Sequence, residues 1–558
     1  MQKYKISFAE ALARATHSKA KDILPGIEVP ANPEYGDLAV PCFIFSKSMK
    51  KNPAEIAKEL EKLEVPGFRK LEAKGAYINA FVDETVLAGS IIPQILKQKS
   101  RFGSLNLQGR KAVIEHTSIN PNAAPHVGRA RNAIIGDSIT RLLRFHGYET
   151  YVRYYVNDIG KQIALLVHAI KDRDVTFDQL LEEYVKANRE LEENKDTEKK
   201  VFELLHRLEQ RDEATIRAFK RIVNICIEGQ KRIMSEFGIR YDSFDYESDY
   251  LFKDETSVIL GKLKKTGKVF VDEDNRLVVD LKDFKLPMKV PVFVLTRSDG
   301  TSLYSLRDLA YTSDKGKSNP EKNIWVLGED HKLYSQQLKS TLSLIGVEAP
   351  EIVYYAFVLL QDDKMSTRKG NVVLLEEFMK EAKEKALKKV REQNEGIDDS
   401  KAEEIAKVVG YGAIKYQFLK VSPEKNVSFD WQQAMNFEAD SGPYLQYSYV
   451  RIQSILEKTG SPGSTDFSLL SHAKEAELVK ALAGFPEVAE RALTQLRPHI
   501  IANYLYRVAD IFNQFYHDCP VLKAEPGLRD ARTALIMASA HVLESGMQLL
   551  GMDAPSRM

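Results

Sequence analysis

Two stretches gather residue types suited to phosphate. "APHVGRARN", residues 124–132, sets His126, Gly128 and Arg129 where a helix is about to begin. Before it, "KAVIEHTS" reads as a strand buried through Val113 and Ile114. After it, Ile135, Ile139, Leu142 and Leu143 repeat at helical spacing up to Gly147. Free N–H groups and the helix dipole favour an anion at such a start, and a glycine lets phosphate approach the backbone. The second stretch, "DDKMSTRKGN", residues 362–371, reads as a loop with Lys364, Arg368 and Lys369 beside two hydroxyls and a glycine. Such a loop can fold over a triphosphate and stabilise charge on a departing pyrophosphate. Alone, the first stretch also fits a capped helix with a solvated histidine, and the second any basic surface loop.

A third set of residues suits a cation. Glu115 ends the strand reading and Asn120 lies just beyond it. "SLYSLRDLAY" puts Tyr304 and Asp308 one helical turn apart, and the helical "EDHKLYSQQLKSTL" adds Gln337. Two carboxylates, two amides and a phenol match a guanidinium, which carries five fixed donors and a permanent charge. The alternative is that Glu115 and Asp308 pair with arginines of the protein, such as Arg307.

These residues need a scaffold, and the texture of the chain supplies one. A chain of 558 residues exceeds one core, so roughly three or four domains are expected. Residues 1–107 mix helical stretches with turns and a strand, "GAYINAFVD", and form an α+β N-terminal domain. Residues 108–378 alternate β-rich runs ("KAVIEHTS", "YVRYYV", "NIWVLG", "IVYYAFVLL") with helical patterns. That rhythm predicts an α/β, Rossmann-like parallel sheet with ligands at the carboxyl ends of its strands. An insertion at about 161–290 opens with a charged, Gly- and Pro-free helical stretch, 161–228, whose charges read as solvated faces. Residues 379–558 form an all-α C-terminal domain, with Leu505, Val508, Phe512 and Phe515 as its core stripe.

Composition narrows the class. The 80 basic and 79 acidic residues leave +1, so any nucleic-acid surface must be local. Three scattered cysteines exclude a disulfide framework or an all-cysteine zinc site and fit a reducing compartment. The charged start lacks a signal-peptide pattern, and no apolar run nears the ~20 residues that span a bilayer. A cytoplasmic protein without a membrane partner is expected, and a monomer, since no interface signal stands out.

In this order, the two phosphate stretches resemble the His-x-Gly-His and Lys-Met-Ser-Lys-Ser signatures of class I aminoacyl-tRNA synthetases. Longer stretches resemble the arginyl-tRNA synthetases among them: "IEHTSINPN" with "HVGRARNAIIGDS", "KMSTRKGN", "NFEADSGPYLQYSYVR", "YRVADIFNQFYHDCPVL" and "LLGMDAPSRM". "NPEYGDLAVPCFIFSKSMKKNPAEIAKEL" resembles that family's extra N-terminal domain, so the likeness covers essentially the whole chain. The resemblance implies that Glu115, Asn120, Tyr304, Asp308 and Gln337 bind L-arginine. It implies that His126, Gly128, His331, Lys364, Met365 and Ser366 line the ATP site. Arginyl-adenylate would form from arginine and ATP with Mg²⁺, in a step needing tRNA, and the arginyl group would pass to tRNA(Arg). Tyr444, Tyr447, Tyr516 and the terminal Met558 become candidates for the anticodon site, by stacking on unpaired bases. Asn79 and Phe81 become candidates at the tRNA elbow. Helical core is the safer reading of any one of these tyrosines taken alone.

The pattern breaks twice. Arg129 stands where the family usually has a second histidine; it can still hold phosphate through its fork of donors. Thr367 replaces the second lysine of the loop signature, and Lys369 or Arg368 is expected to supply the missing charge. Two other functions fit less of the sequence. One is a tRNA-binding paralogue with impaired catalysis, marked by Arg129; the other is a class I synthetase for another cationic amino acid.

Overall fold

The strand read at 111–118 is the middle of a five-stranded parallel sheet. The computed structural model of the chain describes residues 1–122, 124–360, 373–394, 396–555 and 557–558. Its strands are β1 (Lys111–Glu115), β2 (Glu149–Val156), β3 (Ser243–Tyr246), β4 (Lys322–Gly328) and β5 (Glu351–Tyr355), in spatial order β5-β4-β1-β2-β3. All pairings are parallel, with Trp325 opposite Glu115 on one side and Arg153 on the other. The chain builds outward from β1 through β2 to β3, then returns to lay down β4 and β5 on β1's other edge. The crevice above β1 and β4 is therefore the switch point where such sheets bind ligands.

Three helices around this sheet carry predicted arginine- and ATP-site residues: α1 (Val127–Phe145), α2 (Tyr304–Gly316) and α3 (Lys332–Leu344). α1 is held against the sheet by Ile134, Ile135, Ile139, Leu142 and Leu143, each at most 2% exposed. It ends before Gly147, whose φ of +99° suits glycine. The charged stretch after β2 forms four helices, Lys161–Ile170, Phe177–Glu193, Lys195–Glu209 and Glu213–Glu236. Thr176 and Gln179 form a capping box on the second, and Asp212 caps the fourth. A small antiparallel sheet of Val269–Val271, Leu277–Asp280 and Val292–Val294 follows.

Two boundaries differ from the sequence expectation. "IVYYAFVLL" is not one strand: it breaks after Tyr355, and Val358–Leu360 pairs with Val427–Phe429 outside the main sheet. The break falls where the Ala356 carbonyl turns to the buried Arg131 guanidinium and the Ala356 N–H to Pro423. The division placed at 378/379 lies inside one helix, Leu375–Gln393, which no Gly or Pro interrupts. Phe378 on that helix packs against Phe418, Phe429 and Trp431, so the helix stays with the sheet.

The described residues divide into two compact units. The sheet unit comprises 105–444, 492–502 and 547–558; the other comprises 1–104, 445–491 and 503–546. In the second unit the strand Tyr77–Val82 lies between Leu38–Pro41 and Phe68–Lys74, all antiparallel. The N-terminal region and the late helices share this unit. Lys480 pairs with Asp37 at 2.9 Å and Glu84 at 3.0 Å, and Phe102 stacks on Phe485. Leu505, Val508, Phe512 and Phe515 are fully buried in it. Among the described residues no helix is long and apolar enough to cross a membrane.

Candidate active site

His126 is the N-cap of α1, extended at φ −102° and ψ 161°, with no capping bond from its side chain. Its imidazole lies over Gly128, where a Cβ would come within 3.2 Å of the ring, so a larger residue would displace the histidine. Burial, and then the Arg129 charge, push the His126 pKa down to about 4. The ring is therefore neutral at pH 7 and keeps one N–H to donate. The Val127 N–H is taken by the Val373 carbonyl. The Gly128 N–H meets no backbone acceptor among the described residues and is free for an anion. The half-buried Arg129 guanidinium has no hydrogen bond or ion pair there either.

The turn leaving β1 is braced from beneath. Thr117 and Ser118 have φ of 74° and 44°, a region that costs a β-branched residue energy unless neighbours hold it. Asn132 of α1 supplies the brace, accepting from the Thr117 N–H at 2.6 Å and donating to the Val326 carbonyl of β4 at 2.9 Å. The Thr117 hydroxyl adds bonds to His116 and Tyr241. Gly136 leaves room for this: a Cβ there would fall 2.3 Å from the His116 ring. Arg131, fully buried, donates to Ala356 and Ser422 carbonyls and so ties α1 to the chain entering residues 361–372. Lys364, Met365, Ser366 and Lys369 lie outside the described residues, as do Thr367 and Arg368.

The two acids read as a guanidinium site have different surroundings. Glu115 is 2% exposed and ion-paired to Lys315, itself 1% exposed. A cation of the protein thus occupies Glu115, and it is a lysine from the far end of α2. Arg307, one residue before Asp308, pairs with Glu247 at 2.6 Å. Asp308 has no ion pair among the described residues and accepts from the Tyr334 hydroxyl at 2.5 Å. Burial and the nearby Glu247 carboxylate raise its pKa to about 7. Tyr304, 53% exposed, packs its ring 5.4 Å from that of Tyr334. Tyr155 stacks on Tyr311 at 4.4 Å, and its buried hydroxyl has no hydrogen-bond partner among the described residues. Gln337 donates to the Val292 carbonyl at 3.0 Å. Asn120 is exposed and donates to Gln162 at 3.3 Å. His331 follows β4 in a short 3₁₀ turn, 3.5 Å from Asp330.

Glu115 thus ends β1, His331 follows β4 and His126 opens α1, while Tyr334 of α3 meets both Asp308 and Tyr304 of α2 and Gln337 turns to Val292. Tyr334 was legible: it lies three residues before Gln337 in the quoted helix, one turn away on a shared face. Lys315 had no such signal, because "TSDKGK" reads as a polar surface run.

The remaining candidates lie elsewhere. In the second unit, Arg451 covers the ring of Tyr447 at 4.7 Å and that of Tyr516 at 5.1 Å while bonding Asn513. Tyr516 is 43% exposed, Tyr447 half-buried and Tyr444 buried. Asn79 is buried in the middle strand, and Lys70 lies over the Phe81 ring at 4.4 Å. Next to Met558 in sequence, Pro555 and Arg557 line a cavity of about 770 Å³ with Asn394, Lys401 and Ile405.

Comparison with known proteins matches this layout. Residues 91–431 match the family model "tRNA synthetases class I (R), catalytic domain". Residues 445–558 match "DALR anticodon binding domain", and residues 2–82 match "Arginyl tRNA synthetase N terminal domain". The arginine–tRNA ligase of Methanocaldococcus jannaschii is 37% identical over 96% of each chain. That of Methanocella arvoryzae is 40% identical over 92% of each. The Thermus thermophilus arginyl-tRNA synthetase structure aligns over 100% of both chains, with a TM-score of 0.84 and 28% identity. By sequence, by domain order and by fold, the chain belongs to the arginyl-tRNA synthetase family of class I aminoacyl-tRNA synthetases.

Proposed function

We propose that this chain activates L-arginine with ATP and transfers the arginyl group to tRNA(Arg), with Asp308 receiving the guanidinium. The observation that carries the assignment is the carboxylate of Asp308, set among paired charges and itself without a cation among the described residues. Tyr304, Tyr334 and the free oxygen of Glu115 surround the guanidinium, and Gln337 and Asn120 hold the α-amino and carboxylate end. His126, the Gly128 N–H, Arg129 and His331 line the ATP site, joined by Lys364, Met365, Ser366 and Lys369.

The substrate carboxylate oxygen attacks the α-phosphorus, the bond to the bridging oxygen breaks, and pyrophosphate leaves. The protein needs no nucleophile of its own. It aligns the two substrates and offers donors where charge grows, which suits a neutral imidazole and a guanidinium. The terminal ribose hydroxyl of tRNA then attacks the adenylate's carbonyl carbon and AMP departs. Among the described residues no group of three or more His, Cys, Asp or Glu gathers as a metal site. Mg²⁺ would accompany the ATP phosphates, which supply most of its oxygen ligands.

For tRNA, Tyr447 and Tyr516 offer ring faces to unpaired anticodon bases, with Tyr444 and Met558 nearby in sequence to elements of that region. The half-buried Phe81 would meet the elbow; Asn79, 3% exposed within its strand, has almost no surface to offer there. Three buried cysteines that form no disulfide among the described residues support a cytoplasmic setting, and we assign a monomer. ATP–pyrophosphate exchange tests the whole reading, run with arginine or lysine, with and without tRNA, beside Arg129→His. Exchange requiring arginine and tRNA supports it. Exchange absent from the wild type and restored by Arg129→His would make the chain a disabled synthetase.

A further inference from the structure

The inner side of α2 is rich in charge, and nearly all of it is matched within the protein. Glu247 pairs with Arg307, Glu115 with Lys315, and Asp245 with Arg153 at 3.3 Å. Asp314 pairs with Arg153 at 3.7 Å and Lys317 at 2.9 Å. Asp308 stands apart, bonded only to the Tyr334 hydroxyl among the described residues. Lys315 lies on the same helix face as Asp308, two turns further along. Its ammonium is enclosed, 4.5 Å from the Tyr311 ring centre and 5.3 Å from that of Trp325. It bonds Oε2 of Glu115 and leaves Oε1 without a hydrogen bond among the described residues.

A buried lysine is costly to desolvate, and burying Gln at 115 would have needed none. The pair is kept for what it does to the pocket. We infer that Lys315 is a positioning residue for arginine recognition: it ties one oxygen of Glu115, cancels that charge, and leaves one fixed acceptor beside one uncompensated carboxylate. A guanidinium has the matching form, one charge spread over a wide fork of donors. A lysine ammonium meets the charge at Asp308 but is too compact to reach the second acceptor. Two unpaired carboxylates would instead attract any cation and would repel each other when empty. The inference rests on the assignment of Asp308 to the guanidinium.

The test compares Lys315→Met, Lys315→Arg and the double variant Glu115→Gln/Lys315→Met in tRNA-supported ATP–pyrophosphate exchange. Arginine and lysine are the amino acids, and melting curves accompany the kinetics. We expect Lys315→Met to raise the arginine KM about tenfold or more and cut the preference for arginine over lysine by a similar factor. The ATP KM should not move, and Lys315→Arg should recover part of the loss. The double variant, which removes this charge pair, should melt like the wild type yet keep the raised arginine KM, and a recovered KM there remains readable even if the single variant does not fold. Recovery of the arginine KM in the double variant would show that Lys315 merely neutralises a structural acid, and would overturn the proposal. So would unchanged arginine kinetics in Lys315→Met. An arginine KM unmoved by Asp308→Asn would instead remove the assignment beneath it.

Discussion

Lowering the pH from 8 to 6 should weaken arginine recognition about tenfold, through protonation of Asp308. Its carboxyl is raised to about 7 by burial first and the Glu247 carboxylate second, with Glu115 adding and Tyr334 and Arg307 opposing. A guanidinium pairs with the ionised carboxylate, so binding must expel the proton from whatever fraction is protonated. With a pKa of about 7, about nine-tenths of the free enzyme is ionised at pH 8 and about one-tenth at pH 6. The ratio is about tenfold, or about 1.4 kcal/mol, and affinity is lost as pH falls through the raised pKa. The buried hydroxyl of Tyr155 also feels this carboxyl's charge, but burial and the acids raise it far above the window. His126 and His116, both near 4, stay neutral throughout. The assay is the arginine KM in tRNA-supported exchange from pH 6 to 8, with the ATP KM as internal control. Calorimetry in two buffers should count about half a proton released per arginine bound at pH 7. In Asp308→Asn the slope should vanish and the arginine KM should rise by a factor on the order of 100 or more. A flat wild-type profile, or a slope surviving in Asp308→Asn, would refute the argument.

Other residues give equally direct tests. Arg129→Ala should slow adenylate formation about 100-fold with the arginine KM nearly unchanged, as for loss of one transition-state donor; an unaltered rate would mean the guanidinium is not aimed at phosphate. Lys369→Ala should cut the same rate with little effect on tRNA affinity, and a wild-type rate would return the missing loop charge to Arg368 or to neither. Gly136→Ala should cost about 1–3 kcal/mol in urea unfolding, because its methyl would enter the His116 ring; a wild-type midpoint would mean that α1 can step back freely. Tyr516→Ala should weaken tRNA binding about tenfold, within the range for one stacked base, and leave the arginine KM alone. Equal loss of both would place Tyr516 in the fold and not in recognition.

The sequence alone determined the sheet strand at 111–115, the helix start at His126 and the order of the phosphate stretches. Each is a local pattern: apolar alternation, a 3.6-residue stripe, a glycine where backbone must be bare. It also set Tyr304 and Asp308 on one face, since residues four apart on a helix must share one. Tertiary structure alone decided which acid is free. Glu115 and Asp308 look alike in sequence, yet Lys315, 200 positions from Glu115, neutralises one and leaves the other. It likewise decided that the chain breaks after Tyr355 to meet Arg131, and that the N-terminal region shares a unit with the late helices. A buried charge finds its partner by proximity in space, and spacing along a chain carries no record of it until the fold has closed.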